Sequence, residues 1–220
     1  MEVKYNTSAK IKNILESIGR TEDIKFSPDN KRFAILEYLE NKIHLLGIDI
    51  DRNVSPPGIS ITTYSLIKSS NLKNPHGICF LGNDHIVVCN RFGDVSIFKI
   101  PYHVDETNEF DIKAERIISG KGYITAKVKT PGSVDCYQIA DKSYRIFICN
   151  NHWNMVTSHI IEIGDSIKIR NQGVLIENSL NIPDGISVSP DRKWISISNH
   201  VYGEVLIYEN TSKLNRKTPP

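Results

Sequence analysis

The sequence lacks the features that mark several common protein classes. Its four cysteines among 220 residues form no CxxC pair and lie inside apolar runs, where a free thiol behaves as a small buried hydrophobe. No apolar run reaches a membrane-spanning length, and the first residues lack the continuous apolar core of a signal peptide. We therefore expect structural thiols at Cys79, Cys89, Cys136 and Cys149 in a cytoplasmic protein with no membrane segment.

Charge of one sign and the common catalytic motifs are also scarce. The 27 Lys and Arg residues barely exceed the 25 Asp and Glu residues, so the formal charge of +2 gives no argument for a nucleic-acid partner. No GxSxG, HExxH, Walker loop or GxGxxG occurs, which leaves serine-hydrolase, zinc-protease and nucleotide-binding interpretations without support. The composition is otherwise that of an ordinary globular protein.

One sequence outline recurs along the chain. It runs from a polar residue through a short apolar run and a turn to a second apolar run that ends at Asn or Glu, as in residues 21–37, 74–90 and 182–199. When the copies are aligned, four apolar positions fall in register at successive spacings of 54, 56 and 52 residues: Ile24, Ile78, Val134 and Ile186. A regular period of this length predicts a repeat architecture.

Within each repeat the pattern is that of strands. The apolar runs are short, rich in β-branched residues and cut by Gly, Pro, Asn and Asp, and the two SPD sequences are typical hairpin turns. Four strands per unit predict an all-β fold of the β-propeller type, with four repeats of four-stranded antiparallel blades. We place the repeats near 21–72, 73–127, 128–180 and 181–210 in a single domain, 1–220.

The last repeat ends after its third strand, which raises the question of closure. The segment AKIKNILESI, residues 9–18, precedes the first repeat as outer strands precede the others, so it could complete the last blade and close a ring of four. Alternatively, the chain is a partial propeller that finishes its ring with another chain. In that case exposed edges and an uncovered apolar flank favour self-association.

The PDG and SPD signatures, the long blades and the absence of GH and WD dipeptides resemble the NHL, YVTN and SMP-30/gluconolactonase-like group of β-propellers. Members of that group include calcium-dependent lactonases and esterases as well as pure binding modules, and a fold does not choose between them. The resemblance implies that Glu22 matches the first acidic metal ligand and Asp184 the aspartate of a PDG turn. It also shows a departure, because His76 stands where relatives carry Asn before Gly.

Matching repeat positions gather around the axis of a propeller. One predicted ring comprises Glu22, His76, Gly132 and Asp184, and a second comprises Glu37, Asn90, Asn150 and Asn199. Carboxylate and amide oxygens are ligands that Ca²⁺ prefers, so the candidate metal ligands are Glu22, Asp184, Asn90, Asn150, Asn199 and Glu37. His76 and Asp184 are the candidate catalytic residues that would accept a proton from water.

Two simpler interpretations stay open. Asn at strand ends commonly caps turns, so the equivalence of the three asparagines could be structural. The position that follows them, occupied by Arg91, Asn151 and His200, is polar in three blades and could contribute to a binding rim. We expect a binding module whose protein or small-molecule ligand lies at the channel face, and the alternative is a Ca²⁺-dependent lactonase or esterase.

Overall fold

The computed structural model describes residues 5–101, 105–120 and 127–220. The fold is all-β, as predicted, with 56% of the described residues in strands and 7% in helices. No helix in these three ranges has the length and apolar character needed to cross a membrane. The cytoplasmic location stays a prediction.

The N-terminal segment contradicts the prediction of a closing strand at residues 9–18. After β1 (Tyr5–Asn6) the chain forms a helix, α1 (Ala9–Ser17), whose N-cap Ser8 accepts the Ile11 N–H at 3.2 Å. Its apolar residues Ile11, Ile14 and Leu15 follow a helical spacing and pack on the first blade. The segment therefore covers blade 1 and adds no strand to blade 4.

Blade 1 is formed by four antiparallel strands in chain order, with β1 and a later strand pairing in parallel with its outer strand. The four strands are β2 (Thr21–Phe26), β3 (Arg32–Glu37), β4 (Lys42–Asp51) and β5 (Gly58–Lys68). The SPD sequence forms the β2–β3 turn, as predicted, where Asp29 accepts the Ser27 hydroxyl at 2.6 Å and the Lys31 N–H at 3.0 Å.

Blade 2 has three long strands and a short outer one. They are β6 (Pro75–Leu81), β7 (His85–Asn90) and β8 (Val95–Lys99), followed by β9 (Thr107–Asp111), which joins blade 1, and β10 (Arg116–Ile118), which completes blade 2. The parallel pairing of β9 with β5 ties the outer edges of the first two blades together.

Blade 3 has four antiparallel strands and blade 4 has three. Blade 3 contains β11 (Pro131–Ala140), β12 (Ser143–Asn150), β13 (Met155–Ile163) and β14 (Ile167–Ile176). Blade 4 contains β15 (Pro183–Val188), β16 (Trp194–Asn199) and β17 (Glu204–Glu209). The first strands of the four blades begin at Thr21, Pro75, Pro131 and Pro183, where the repeat predicted them.

Each blade packs face to face on the next one. Three apolar clusters fill the spaces between successive blades, and all three buried cysteines with raised pKa lie in them because burial disfavours their thiolates: Cys79, Cys89 and Cys149. The described cysteines are free thiols, as predicted. Gly77 permits the close approach of blades 2 and 3, because a Cβ there would lie 2.5 Å from the Gly132 carbonyl oxygen.

The four blades do not form a closed ring. Within the described ranges, first strands pack in the order β2, β6, β11, β15, with no comparable packing of β15 on β2. The predicted closure of four blades into a ring is therefore not supported. Residues 9–17, which were predicted to close the ring as a strand, form a helix, and β17 is an unpaired edge strand of blade 4. The architecture is that of a partial, propeller-like arc of four blades.

The packing between blades 1 and 2 predicts a loss of stability when a buried side chain is truncated. Phe98 is fully buried between these blades, so Phe98→Ala should lower the free energy of unfolding by about 3–5 kcal/mol through lost contacts and a cavity. Phe92, which is 73% exposed, is the matched control, and Phe92→Ala should cost under about 0.5 kcal/mol. Urea unfolding of both variants measures the difference, and equal costs would contradict the packing described.

Candidate functional site

An irregularity recurs at the start of every first strand. The pairing between first and second strands shifts register between Thr21 and Ile24 and at the equivalent places in the other three blades. A bulge of this kind bends a strand and re-aims its side chains. The residues in or beside the four shifts are those of the first predicted ring: Glu22, His76, Gly132 and Asp184.

Three of these four residues meet at the axis. His76 Nε2 lies 3.4 Å from Glu22 Oε2 and 4.0 Å from Asp184 Oδ1. The side chains are 11%, 14% and 30% exposed for His76, Glu22 and Asp184, so they are shielded and still reachable from solvent. The structure therefore brings together both predicted catalytic residues and one further predicted metal ligand from three different blades.

The hydrogen bonds of His76 define its tautomer. Nδ1 lies 3.0 Å from the Gly132 carbonyl oxygen, which can only accept, so Nδ1 carries a proton. Nε2 lies 2.6 Å from Arg91 Nη2, which can only donate, so Nε2 presents its lone pair. The basic nitrogen of a neutral imidazole therefore points into the axial cluster.

Arg91 is the central cation of the cluster. Its Nη2 also lies 3.1 Å from Asp184 Oδ1, and Asn151 donates a second hydrogen bond to the same carboxylate oxygen. Although burial raises the pKa of Asp184, the hydrogen bond from Asn151 and the positive charge of Arg91 lower it below its ordinary value. Asp184 therefore stays ionised and holds Arg91 beside His76.

Gly132, the one ring position without a side chain, has a steric explanation. A Cβ at Gly132 would overlap the Asn151 carboxamide. In blade 3 this carboxamide takes the place of the ring side chain that the other blades supply as Glu22, His76 or Asp184. Asn151 is fully buried and its Oδ1 has no hydrogen-bond partner among the described residues. Blade 3 thus contributes an amide to the cluster from the neighbouring loop.

Glu22 is already paired, because its Oε1 forms an ion pair with Arg20. The Asn151 carboxamide oxygen is buried in the cluster without a partner among the described residues, and it favours a ligand or waters that bring hydroxyl donors.

The cluster opens into a cavity of about 330 Å³ on the axis. Glu22, His76 and Asp184 lie among its lining residues, together with Ser133 and Lys25. Lys25 reaches across the axis to Asp135 at 2.9 Å. A larger cleft of about 880 Å³ lies away from the axis, between blades 2 and 3, and contains none of the predicted site residues.

The second predicted ring has a structural role that repeats in all four blades. Each member has a side-chain oxygen that accepts the backbone N–H of the residue two positions before a first strand. The four bonds are Glu37 to Gly19 at 2.8 Å, Asn90 to Lys73 at 2.9 Å, Asn150 to Lys129 at 2.5 Å and Asn199 to Asn181 at 2.6 Å. All four side chains are buried, so they fix the loops that lead into the axis.

Glu37 also contacts other side chains of its own blade. Its Oε2 lies 3.0 Å from His44 Nε2, and His44 Nδ1 lies 2.9 Å from the Tyr64 hydroxyl. Although burial raises the pKa of Glu37, the Gly19 N–H and His44 lower it, whereas burial lowers the pKa of His44. Glu37 thus lies in a buried polar chain on the outer face of blade 1.

These contacts do not favour the predicted Ca²⁺ site. Arg20 and Arg91 already neutralise the axial carboxylates of Glu22 and Asp184, and a cation placed between them would be repelled by both guanidinium groups. The described residues contain no group of three or more His, Cys, Asp or Glu arranged to hold a metal. We therefore derive no chemistry through a metal, and the Ca²⁺ site stays a prediction.

The same face carries exposed apolar residues on the loops between second and third strands. These loops follow the second ring directly, so they surround the axial cluster, and each presents at least one large side chain to solvent: Leu39, Phe92, Trp153, Val201 and Tyr202. Lys129 stacks over Trp153 at 4.0 Å from the ring centroid. We call this set the apolar rim.

The sequence placed Arg91 only in a polar rim, and its part in the cluster was missed. Its signal was the repeat itself, because Arg91 and Asn151 occupy equivalent positions directly after Asn90 and Asn150. What the repeat could not show is that the two side chains converge on Asp184 of a different blade. That convergence depends on the curvature of the arc.

Comparison with known proteins supports the fold and nothing finer. No protein-family model and no curated protein sequence matches this chain. Among solved structures, it is similar to a proposed 6-phosphogluconolactonase of Bacteroides uniformis, with a TM-score of 0.57, 14% identity and coverage of 91% of this chain and 53% of that one. It is also similar to the periplasmic gluconolactonase PpgL of Pseudomonas aeruginosa, with a TM-score of 0.59, 9% identity and coverage of 92% and 53%.

A third similar structure belongs to a complex. A chain of a humanized mutant of the Chaetomium thermophilum Polycomb Repressive Complex 2 has a TM-score of 0.60 and 8% identity, with 87% of this chain and 46% of that one covered. The chain therefore has a propeller-like fold and spans about half the length of the structures it matches.

The structural role of the second ring predicts a stability effect. Asn150→Ala should lower the free energy of unfolding by roughly 1–3 kcal/mol, because the half-buried Lys129 N–H loses the Asn150 side chain as acceptor. Asn13→Ala, at an exposed position of α1, should have little effect. Thermal and urea unfolding provide the comparison, and an Asn150→Ala protein as stable as its parent would refute this role.

The arginines predict weak interaction with calcium. Isothermal titration of the protein with Ca²⁺ should give no saturable heat at millimolar concentration, because Arg20 and Arg91 compensate the axial carboxylates. The Glu22→Gln, Asp184→Asn double variant serves as the control. Saturable binding that disappears in this variant would instead establish the predicted metal site.

Proposed function

We propose that the axial cluster is the active site of a lactonase-like hydrolase that opens the ester bond of a hydroxyl-rich lactone. The observation that carries the proposal is the pairing of a basic nitrogen, His76 Nε2, with a guanidinium donor, Arg91 Nη2, beside a cavity of about 330 Å³ that His76 lines. Hydrolysis of a lactone needs these two functions, a base that activates water and a cation that stabilises the oxyanion.

The reaction can be written with the residues of this chain. His76 Nε2 accepts a proton from a water molecule as the water oxygen attacks the lactone carbonyl carbon. Arg91 donates to the carbonyl oxygen, which becomes an oxyanion, and this requires Arg91 to turn from Nε2 toward the substrate. When the intermediate collapses, the ring C–O bond breaks and the imidazolium returns the proton to the departing alkoxide, so the product is a hydroxy acid.

The two carboxylates support these steps differently. Asp184 fixes Arg91 through the 3.1 Å contact and keeps its charge because its pKa is lowered, despite its burial, by Asn151 and Arg91. Glu22 Oε2 lies 3.4 Å from His76 Nε2, where it stabilises the imidazolium once that nitrogen is protonated. Asp184 is therefore a positioning residue in this mechanism, and the base is His76.

The substrate class follows from one unpaired acceptor and from the comparisons. The buried Asn151 carboxamide oxygen has no hydrogen-bond partner among the described residues, which favours a ligand with hydroxyl donors. Structures named as a gluconolactonase and a proposed 6-phosphogluconolactonase share the fold, at 9% and 14% identity. Sugar-acid lactones satisfy both observations and are the substrates to test first.

A second candidate is a binding module that uses the same face. The apolar rim favours it, because five large exposed side chains on neighbouring loops form the kind of surface that partners cover. One structure of this fold belongs to a Polycomb Repressive Complex 2 assembly. This candidate predicts a protein or small-molecule ligand on the rim and no turnover.

The hydrolase is tested by following the acid released from glucono-lactone and its 6-phosphate, after subtraction of spontaneous hydrolysis. His76→Ala should lower kcat/KM roughly 10²–10⁴-fold, because the general base is lost. Arg91→Ala should lower kcat more than it raises KM, because the guanidinium acts mainly on the oxyanion.

His152→Ala is the matched control, because His152 is exposed on the same face outside the cluster. This variant should hydrolyse the lactones at the parental rate. No turnover of either lactone by the parent protein, or equal loss in His152→Ala and His76→Ala, would overturn the hydrolase and leave the binding module.

A further inference from the structure

The first and last blades each leave one face without a neighbouring blade. The open face of blade 1 exposes Ile24 at 53% and Phe26 at 45% of their surfaces. The open face of blade 4 exposes Val205 at 63% and Ile207 at 47%. Both faces lie at the ends of the arc, where a closed propeller has further blades.

The open face of blade 4 is equivalent to a buried face of blade 1. In blade 1, Ile43 and Leu45 of β4 are 0% and 1% exposed because blade 2 covers them. The repeat places Val205 and Ile207 at these two positions of blade 4. Blade 4 therefore retains the apolar strand that, elsewhere in the arc, packs on a following blade.

Helix α1 covers only part of the open face of blade 1. Ile11, Ile14 and Leu15 pack over β4 and β5, the outer half of the sheet, and leave Ile24 and Phe26 of β2 uncovered. Blade 4 has three strands and lacks the outer one. The open faces of blades 1 and 4 are complementary in shape. Where blade 4 lacks an outer strand, there is room for the helix α1 that lies over the outer half of blade 1.

The charges at the two ends are also complementary. Helix α1 carries Lys10 and Lys12 against one acidic residue, Glu16. The open edge strand β17 begins and ends with Glu204 and Glu209, both exposed. A positive helix and a negative strand edge attract one another when the two faces meet.

We propose that two copies of this chain associate, with blade 1 of each copy against blade 4 of the other, and close one ring around the axis. Each copy brings four blades, so two copies bring eight, which is within the range of about four to eight blades that propellers typically have. The arrangement has two-fold symmetry and two equal interfaces, and it ends at the dimer because the ring is complete.

The dimer would also complete the axial site. Glu22 of blade 1 and Asp184 of blade 4 border the gap between the ends of the arc, and the second copy brings its own blades to that gap. Ser196 and Ser198 stand where blade 1 has the buried Ala34 and Leu36, which makes the face of blade 4 less apolar. The association is therefore reversible and depends on concentration.

Sedimentation equilibrium of the full chain from about 1 to 500 µM tests the proposal without a substrate, so its failure and that of the hydrolase are distinct. The mass should rise from 24.9 kDa to twice that value and no further. Val205→Lys should shift the midpoint at least about tenfold to higher concentration, since it places a charge in each interface.

Val201→Lys is the matched control, because Val201 is 51% exposed on the apolar rim, four residues from Val205 but off the open face. It should leave the midpoint unchanged. A constant mass of 24.9 kDa, growth beyond the dimer, or an equal effect of Val201→Lys would each overturn the closed dimer. Circular dichroism confirms that both lysine variants are folded.

Discussion

The constraint on which this structure depends is that a four-stranded sheet with two apolar faces must have both of them covered. All three spaces between successive blades are filled by apolar clusters. Helix α1 covers part of the open face of blade 1. Because the faces pack in sequence, the first strands line up along one axis, and the same irregularity at the start of each strand turns its polar residue toward that axis. The packing between blades thus determines which polar side chains meet at the axis.

The axial cluster is electrostatically close to balanced. Two carboxylates face two guanidinium groups, with a neutral imidazole between them. Burial alone would favour protonated carboxyls, and at Asp184 the neighbouring donors outweigh it. The two arginines that disfavour a metal at the axis also include Arg91, which lies next to His76. In the proposed reaction this cation and this base act on the same ester bond. The asparagines that could be taken for ligands instead hold the loops in place through backbone N–H groups.

Much of the fold and part of the axial cluster could be predicted from the sequence, because a repeat shows which positions of the blades are equivalent. The starts of the blades, the SPD turns and the convergence of Glu22, His76 and Asp184 follow from alignment of the copies. The helix at residues 9–17 was missed although its signal was present, since Ile11, Ile14, Leu15 and Ile18 have a spacing of 3.6 and not 2. The role of Arg91 could not be predicted, because it depends on contact with Asp184, 93 residues away.

The central claim is that the lone pair of His76 Nε2 faces the axial cluster while Nδ1 is held by the Gly132 carbonyl. The most direct test is a long-range proton–nitrogen correlation spectrum of the histidine rings, with His76 assigned through His76→Gln. The hydrogen bonds predict that the neutral ring of His76 is protonated at Nδ1 and unprotonated at Nε2. A ring protonated at Nε2 alone would place a donor against Arg91 and contradict both the site geometry and its use as a base.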